Sequence, residues 1–505
     1  MWVECSRLCR AGIGLLAWAT SLAACGGVSS GHVGAGGSSP SAQGGGTSGG
    51  GGTTSNEAGR AGLNGGGAAG ADGKSTSQTG TVEIYSWWTA GGEAQALARL
   101  IDRYKTTYPG DDVLNSTAGS ADPTAAFDAM KKRLADGDPP DAWQAILGAD
   151  LRSYTRFLPP DAPAGATPVN QVQNLDDLYA TQKWADKFPP GVLSAVREGG
   201  HYFGVPISVG RLNELFYNKA IFDKYKLAPP TTLNDLFAIG EALKGEVDAD
   251  GDPIIPLVIS SGYDVTHAEA WPVRFVFDAV LLSEPKGVQF RQAYYSGNAD
   301  PADPAYLQGA TDFVKLLTQY TNAGNEDLAA TGTDAHALKL QWEGAADMLH
   351  SGRAAMFLHG NWVKAYLESK GDVADTDFGV VQFPPNAFVY AGDSFVMSKD
   401  APHRNPTLDF LKVAGNPDAQ STLNKLKGAL PARVDADTTD FDTVGQEEAT
   451  DYRNPDVALL ACSWDYPPTD YWQCWEDALF GIVQNHDAAA FVQSCKDKYS
   501  ELKAP

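Results

Sequence analysis

The chain has 505 residues, of which 62 are acidic and 38 basic, and its formal net charge at pH 7 is −24. Such an acidic chain argues against binding to nucleic acid and against electrostatic docking on an anionic membrane, and a neutral or cationic small ligand fits it better. About 425 residues follow a glycine-rich start, which is too many for one hydrophobic core, so we expect two lobes.

Residues 1–24 are predicted to be a signal peptide. Arg7 and Arg10 precede an apolar run at 11–19 that is too short to span a bilayer. The sequence LAAC at 22–25 resembles a bacterial lipobox, which implies cleavage before Cys25 and attachment of lipid acyl chains to it. We therefore expect a lipoprotein anchored to the membrane on the extracytoplasmic side, in the inner or the outer membrane.

Residues 25–80 are predicted to be a disordered tether. Positions 26–80 hold 21 of the 54 glycines of the chain, with Ser, Thr and Ala filling most of the rest and no aromatic residue. Such a composition cannot bury a core, and no fixed repeat is visible. The stretch is typical of a flexible linker between a lipid anchor and a fold.

The remaining cysteines, Cys462, Cys474 and Cys495, lie near the C-terminus. In an oxidising compartment we expect one pair to form a disulfide and one thiol to be left over, and the sequence does not decide which pair. Spacings of 12 and 21 residues match no familiar zinc module, and no histidine lies beside them. We expect no metal and no cofactor.

The first βα unit carries the most informative pattern of the chain. A strand at 82–85 is followed by Trp87, Trp88 and Glu93, and a helix with one apolar stripe then runs to Pro109. Open α/β sheets bind ligands at the carboxyl ends of their strands. Indole rings stack on the apolar face of a sugar and a carboxylate accepts hydrogen bonds from its hydroxyls, so we expect a sugar site here. The alternative is that one tryptophan fills the core while the other shields the sheet edge.

Downstream, predicted strands and helices alternate, which favours a mostly parallel sheet. The third strand, 142–147, carries Gln144, and Thr232 with Asp235 predicts a capping box at the start of a helix. The acidic turn at 248–252 lacks the glycine and the glutamate of a calcium loop, so we expect an ordinary surface turn.

Seven stretches resemble, in the same order, the extracellular solute-binding proteins of bacterial ABC sugar importers. The closest resemblance is to the glucose/mannose-binding branch of the large maltose-binding-like group. The matching stretches are EIYSWWTAGGE (83–93), PPDAWQ (139–144), GVPISVGRLNELFYN (204–218), PPTTLNDL (229–236), GRAAMFLHGNW (352–362), GDSFVM (392–397) and KGALPAR (427–433).

This resemblance implies the type II periplasmic-binding-protein fold, which has two α/β lobes that close on a sugar like a clamshell. Each lobe is expected to hold a mostly parallel sheet flanked by helices. Three crossings near 206–214, 388–394 and 429–436 would join the lobes. The first lobe would comprise 81–209 with 392–432, and the second 210–391 with 433–505.

The resemblance also implies which residues bind the sugar. Trp87 and Trp88 match the stacking pair, Glu93 and Asp393 would accept from hydroxyls, and Gln144 and Lys427 would make further polar contacts. Arg211 matches the arginine of a crossing, and Trp271 and Trp362 would supply a second aromatic face. For Asp393 the alternative is a turn cap, for Lys427 a solvated surface charge, and for Trp362 a place in the core.

Several readings stay open. Ile146, Gly210 and Asn361 replace polar residues of the close glucose binders, so a disaccharide or another monosaccharide is possible as the ligand. A lipid-anchored carbohydrate-active enzyme with Glu93 and Asp393 as its carboxylates is a rival hypothesis, and a chemosensory or scavenging lipoprotein without a permease is another. We expect a monomeric, non-enzymatic protein that delivers sugar to ABC permease subunits.

Overall fold

The computed structural model describes residues 80–89, 91–117, 123–159, 161–163, 165–260, 271–295, 303–322, 340–385, 387–462, 478–479, 481–483 and 485–503. By its contacts the chain divides into the units Met1–Thr76 and Ser77–Pro505, and every described residue belongs to the second. The predicted signal peptide, the lipid site at Cys25 and nearly all of the tether lie outside the described residues.

Strands and helices alternate along much of this unit. The strands are β1 (Thr81–Tyr85), β2 (Asp112–Asn115), β3 (Ala142–Ile146), β4 (Arg197–Glu198), β5 (His201–Tyr202), β6 (Gly204–Arg211), β7 (Glu214–Asn218), β8 (Ile255–Val258), β9 (Ala354–His359), β10 (Phe378–Gln382), β11 (Ala387–Met397), β12 (Leu430–Pro431) and β13 (Ala458–Ala461). The helices are α1 (Gly91–Thr107), α2 (Pro123–Asp136), α3 (Ala149–Thr155), α4 (Asp176–Gln182), α5 (Pro190–Ala195), α6 (Lys219–Tyr225), α7 (Leu233–Leu243), α8 (Trp271–Ser283), α9 (Gly287–Tyr295), α10 (Pro304–Tyr320), α11 (Trp342–His350), α12 (Trp362–Ser369), α13 (Arg404–Ala414), α14 (Pro417–Lys427), α15 (Thr443–Arg453) and α16 (Ala488–Lys503).

Two main sheets organise these elements. The larger has the strand order β12-β6-β11-β3-β1-β2, with β13 also paired to β11, and the smaller has the order β10-β7-β9-β8. A hydrophobic core cluster lies against the larger sheet, and two others pack around the smaller one. The fold is therefore α/β with two sheet-centred lobes, as the sequence predicts.

Both sheets are mixed, and the prediction of mostly parallel sheets is wrong. In the larger sheet, β1 pairs parallel with β2 and β3, and β13 pairs parallel with β11. Strand β11 runs antiparallel to β3 and β6, and β12 runs antiparallel to β6. The reason is connectivity, because β11 enters the larger sheet directly after β10 of the smaller one and so runs opposite to β1, β3 and β6.

The clearest crossing between the sheets lies at Leu212 and Asn213, between β6 of the larger sheet and β7 of the smaller. The Asn213 side chain holds the second crossing strand, since its Oδ1 accepts from the Val389 amide at 3.0 Å and its Nδ2 donates to the Ala387 carbonyl at 3.0 Å. Helix α15 packs with the first core cluster through Ala449 and Tyr452, although the sequence grouped 433–505 with the second lobe.

Local sequence signals correspond closely to the observed elements. The capping box is confirmed, because Thr232 Oγ1 accepts from the Asp235 amide at 3.2 Å and Asp235 Oδ2 accepts from the Thr232 amide at 2.9 Å. In the acidic turn, Asp248 Oδ1 accepts from the backbone amides of Asp250 and Asp252, and Arg353 lies within ion-pair distance of Asp248 and Asp252.

The described residues bear on two further features, the predicted C-terminal disulfide and the presence of membrane-spanning helices. Cys462 is buried, while Cys474 and the side chain of Cys495 lie outside the described residues, so the disulfide stays a prediction. Within the ranges that the structure describes, no helix combines the length and apolarity needed to cross a membrane.

Candidate functional site

The candidate site lies where β1, β3 and β11 of the larger sheet meet. Ser86, directly after β1, donates from Oγ to Gln144 Oε1 at 2.6 Å, and Gln144 Nε2 donates to Asp393 Oδ1 at 2.8 Å. Asp393 is paired with Ile146 across β11 and β3. Hydrogen bonds thus connect three neighbouring strands and fix the orientation of the Gln144 amide and the Asp393 carboxylate.

Two helix ends bring the opposite charges of this site together. Glu93 lies in the first turn of α1, and Lys427 is the last residue of α14, where the helix dipole favours an acid and a base respectively. Gly428 ends α14 in the left-handed conformation with φ of 77°, which glycine adopts without a steric penalty. The Lys427 ammonium lies 3.3 Å from Glu93 Oε1 and 3.6 Å from Asp393 Oδ2.

Burial strengthens the electrostatic interactions among the charged groups of this cluster. The side chains of Lys427, Asp393 and Glu93 are 5%, 16% and 33% exposed. Burial raises the pKa of both carboxyls, and the Lys427 ammonium opposes this increase. Burial alone would lower the pKa of Lys427, but the two carboxylates outweigh it and the pKa is raised. One buried cation therefore faces two partly buried acids.

The two adjacent tryptophans have different surroundings. The Trp88 ring lies 5.1 Å from the Lys427 ammonium, and its indole nitrogen is buried without a hydrogen-bond partner among the described residues. Trp87 packs edge-on against Phe127 of α2, with ring centroids 5.2 Å apart. Both rings belong to the first core cluster, with Trp87 6% and Trp88 1% exposed, and Trp88 is also next to the charge cluster. Stacking of either ring on a ligand stays a prediction.

The second lobe approaches this cluster through α12. A Cβ atom at Gly92 would lie 3.7 Å from the Cβ of Ala365, and one at Gly428 would lie 3.0 Å from it. Helix α12 therefore lies against both helix ends that carry Glu93 and Lys427. Trp362, at the start of α12, is half-buried and lies edge-on to His359 at 5.2 Å. Burial lowers the pKa of His359 to about 3, so its imidazole is neutral at physiological pH.

Two other predicted site residues, Arg211 and Trp271, have no described contact with the cluster around Lys427. Arg211 is fully buried and donates to Asp451 Oδ2 at 2.7 Å and to the Ala387 carbonyl at 2.8 Å, with its guanidinium over the Phe388 ring. These contacts anchor the crossing strands to α15. Trp271 begins α8, but its side chain lies outside the described residues. Ligand contact by either residue stays a prediction.

The sequence analysis missed two buried acids and a third whose carboxylate is partly buried. Glu214 and Glu448 are 0% and 3% exposed, and their mutual repulsion adds to burial in raising the pKa of Glu214 well above its usual range. Glu343, in the first turn of α11, has one buried carboxylate oxygen without a partner within the described ranges. A signal for Glu214 was available, since it interrupts the apolar strand pattern of NELFYN at 213–218.

Among the described residues, no three side chains of His, Cys, Asp or Glu are grouped so that they could hold a metal ion. The cluster places an indole ring, hydrogen-bond acceptors and donors at one sheet edge.

The fold is that of a two-lobed binding protein, and its candidate ligand groups lie at a sheet edge, as in open α/β sheets that bind ligands. The chain belongs to the family of bacterial extracellular solute-binding proteins, whose model matches residues 121–448. It is therefore an extracytoplasmic solute-binding protein.

Similar proteins agree with this assignment. A probable sugar-binding periplasmic protein of Rhizobium meliloti is 28% identical over 378 residues, covering 73% of this chain and 80% of that protein. The xylose/arabinose-binding protein XacG of Haloferax volcanii is 25% identical over 401 residues, covering 77% and 75%. These relatives are named as binding proteins and not as enzymes.

A solved structure establishes the fold independently. The bacterial solute receptor AcbH, described as having an exclusive preference for β-D-galactopyranose, superposes with a TM-score of 0.67 at 16% identity. The match covers 84% of this chain and 100% of that one. The two-lobed type II periplasmic-binding-protein fold predicted from the sequence is thereby confirmed.

Proposed function

We propose that this protein captures a mono- or disaccharide with high affinity and delivers it to an ABC importer. The observation that carries the proposal is the cluster in which Lys427 bridges Glu93 and Asp393 beside Trp88. A sugar needs an apolar platform together with several acceptors and donors, and this cluster offers both. The names of the relatives XacG and the R. meliloti protein support a sugar as the ligand.

Each group has a role in this proposal. Trp88 stacks on the pyranose ring, Glu93 and Asp393 accept from hydroxyls, and Lys427 and Gln144 donate to ring or hydroxyl oxygens. Trp362 covers the sugar from the second lobe, with Trp87 and Trp271 as further aromatic contacts. Arg211 holds the crossing strands, because its guanidinium is already bonded to Asp451 and to the Ala387 carbonyl.

Closure of the lobes couples binding to delivery. A sugar bound to both lobes favours the closed form by its differential contacts, and the closed form docks on the permease pair. Cleavage before Cys25 and lipidation of this cysteine would keep the receptor, as a monomer, at the membrane that holds the permease. Mass spectrometry of the protein from a bacterial host tests the anchor, and an unmodified Cys25 would rule it out.

The direct test is a calorimetric titration of the full-length protein against a panel of mono- and disaccharides. One sugar should bind with a Kd of about 1 μM or tighter, and Glu93→Gln and Asp393→Asn should each weaken it by about tenfold or more. Gln95→Ala, on the exposed face of α1, is the matched control and should bind normally.

Two further results would contradict the proposal. Absence of binding to every sugar would remove the sugar site, while hydrolysis of chromogenic glycosides that is lost in Glu93→Gln would favour the rival enzyme. Solution scattering should show a smaller radius of gyration when the tight sugar is added. An unchanged radius would contradict closure.

A further inference from the structure

We infer that the cleft selects a sugar bearing a protonated amine over the neutral sugar of the same configuration, and excludes the corresponding acid sugar. This inference rests on the proposed sugar site and names the ligand class within it. It follows from an imbalance of charge around Lys427, where acidic groups outnumber basic ones and burial of the lysine strengthens their interactions.

The imbalance begins with the cluster itself. Among the residues that the structure describes, Lys427 is the one basic side chain within ion-pair distance of Glu93 or Asp393. Other basic groups nearby are paired elsewhere, since the Lys364 ammonium contacts Asp442 and Glu368. One ammonium between two carboxylates leaves one negative charge uncompensated when all three are ionised.

Glu343 adds a third acid from the second lobe. It is the second residue of α11, and its neighbour Trp342 packs edge-on against Tyr366 of α12 at 5.2 Å. Helix α12 in turn lies against the start of α1 through Ala365 and Gly92. Burial raises the pKa of Glu343, and the charges of Asp347 and Glu93 raise it further. The packing of α11 on α12 and of α12 on the start of α1 thus places Glu343 on the second-lobe side of the cluster.

The electrostatic energy of these three acidic side chains depends on the charge of the sugar bound beside them. A sugar ammonium adds a second cation and lets all three acids ionise, a neutral hydroxyl adds only hydrogen bonds, and a sugar carboxylate adds a fourth negative charge. The carboxylate oxygen of Glu343 that lacks a partner is the acceptor that such an ammonium would use. The gain is largest in the closed form, where the second lobe brings Glu343 toward Glu93.

The test compares matched sugars in calorimetric titrations of the full-length protein at pH 7 and low salt. The probes are glucose, glucosamine and glucuronate, with the galactose and mannose series alongside. In the series that fits the cleft, the amine should bind about tenfold tighter than the neutral sugar, and the acid should not bind. Salt at about 0.5 M should reduce the preference.

Variants assign the effect to the second-lobe acid. Glu343→Gln should reduce the amine-to-neutral ratio by about threefold or more while changing neutral-sugar affinity by less than about twofold. Asp102→Asn, which removes an exposed acid further along α1, is the charge-matched control and should retain the ratio.

The outcomes separate this inference from the proposed function. Neutral sugars binding as tightly as their amines in every series would overturn the charge preference and leave the sugar receptor standing. An unchanged ratio in Glu343→Gln would overturn the role of Glu343. If no sugar of any charge binds, the proposed function fails, and this inference fails with it.

Discussion

At the residue scale, charge in the cleft is balanced around Lys427, whose ammonium lies between the carboxylates of Glu93 and Asp393. The resemblance of the stretch KGALPAR to the family predicted Lys427 as a site residue, but it did not predict that the side chain is buried. A lysine on a polar helix is more often a solvated charge. Here the C-terminus of α14 ends against the start of α1, so the buried ammonium has two partly buried carboxylate partners.

Removal of this cation should cost stability. We expect Lys427→Met to lower the free energy of unfolding by about 1–3 kcal/mol at pH 8, because Glu93 and Asp393 would face each other uncompensated, with partial screening by water at Glu93. The loss should shrink near pH 5, where the raised pKa values of these carboxyls allow protonation. Urea unfolding at both pH values measures it.

Lys425→Met provides the matched control for this prediction, because Lys425 is on the same helix and exposed. It should change stability by less than about 0.5 kcal/mol. An equal loss in both variants, or a loss at Lys427 that does not depend on pH, would show that the ammonium is not balancing the two acids.

The buried acid Glu214 gives stability the opposite pH dependence from an ordinary surface carboxylate. Burial and Glu448 raise its pKa in the folded protein, so its contribution is complete below the unfolded pKa of about 4.3 and is lost as pH rises through the folded value. We expect Glu214→Gln to raise the free energy of unfolding by about 1–3 kcal/mol at pH 8 and to have little effect at pH 4.

Thermal unfolding of Glu214→Gln across pH 4–9 checks this expectation. Glu447 is exposed and precedes Glu448 in the chain, so Glu447→Gln is the control that leaves the buried pair of Glu214 and Glu448 unchanged. A Glu214→Gln protein that is less stable than the parent at pH 8 would mean that an ionised Glu214 is stabilised by groups such as Arg211 and Lys364.

At the element scale, the contact between the start of α1 and the end of α14 determines the geometry of the site. Gly92 makes this contact possible, because an added Cβ would lie 2.6 Å from the carbonyl oxygen of Leu426. The sequence shows the Gly91-Gly92 pair between Trp88 and Glu93. It did not identify the helix end that requires the glycine, since that helix comes more than 300 residues later.

Gly92→Ala should therefore separate the two helix ends. The clash is with backbone, so α1 must shift, and we expect a loss of about 1–3 kcal/mol in stability and at least about tenfold weaker ligand binding as Glu93 moves away from Lys427. Calorimetry and urea unfolding measure both effects. The exposed Ala98→Ser on the same helix is the control, and normal ligand binding by Gly92→Ala would contradict the prediction.

At the scale of the whole molecule, α12 of the second lobe contacts both helix ends through Ala365. A small side chain is needed here for the lobes to approach. We expect Ala365→Phe to weaken ligand binding by about tenfold or more and to prevent ligand-induced compaction, because the added ring keeps the lobes apart while each core remains intact. Solution scattering and calorimetry provide the two measurements.

Ala365→Ser is the conservative partner of that variant and should behave like the parent. If Ala365→Phe binds ligand and compacts normally, then contact at this surface is not required for closure. Closure would then depend on other parts of the cleft.

The sequence by itself determined the order of strands and helices, the capping box at Thr232, the α/β class and the family. These features are encoded locally, in periodicity, turn residues and short motifs, and so they can be read from neighbouring residues. It also identified Glu93, Gln144, Asp393 and Lys427 one by one as candidates.

Only the tertiary structure decided how these parts combine. Strand direction in the mixed sheets depends on where the chain crosses between lobes, which no local pattern specifies. Burial of Glu214 depends on packing between segments far apart in sequence, and so does the effect of the Glu93 charge on the pKa of Glu343. Charge and solvation at a site are properties of the assembled neighbourhood, and they arise when distant residues are brought within a few ångströms of one another.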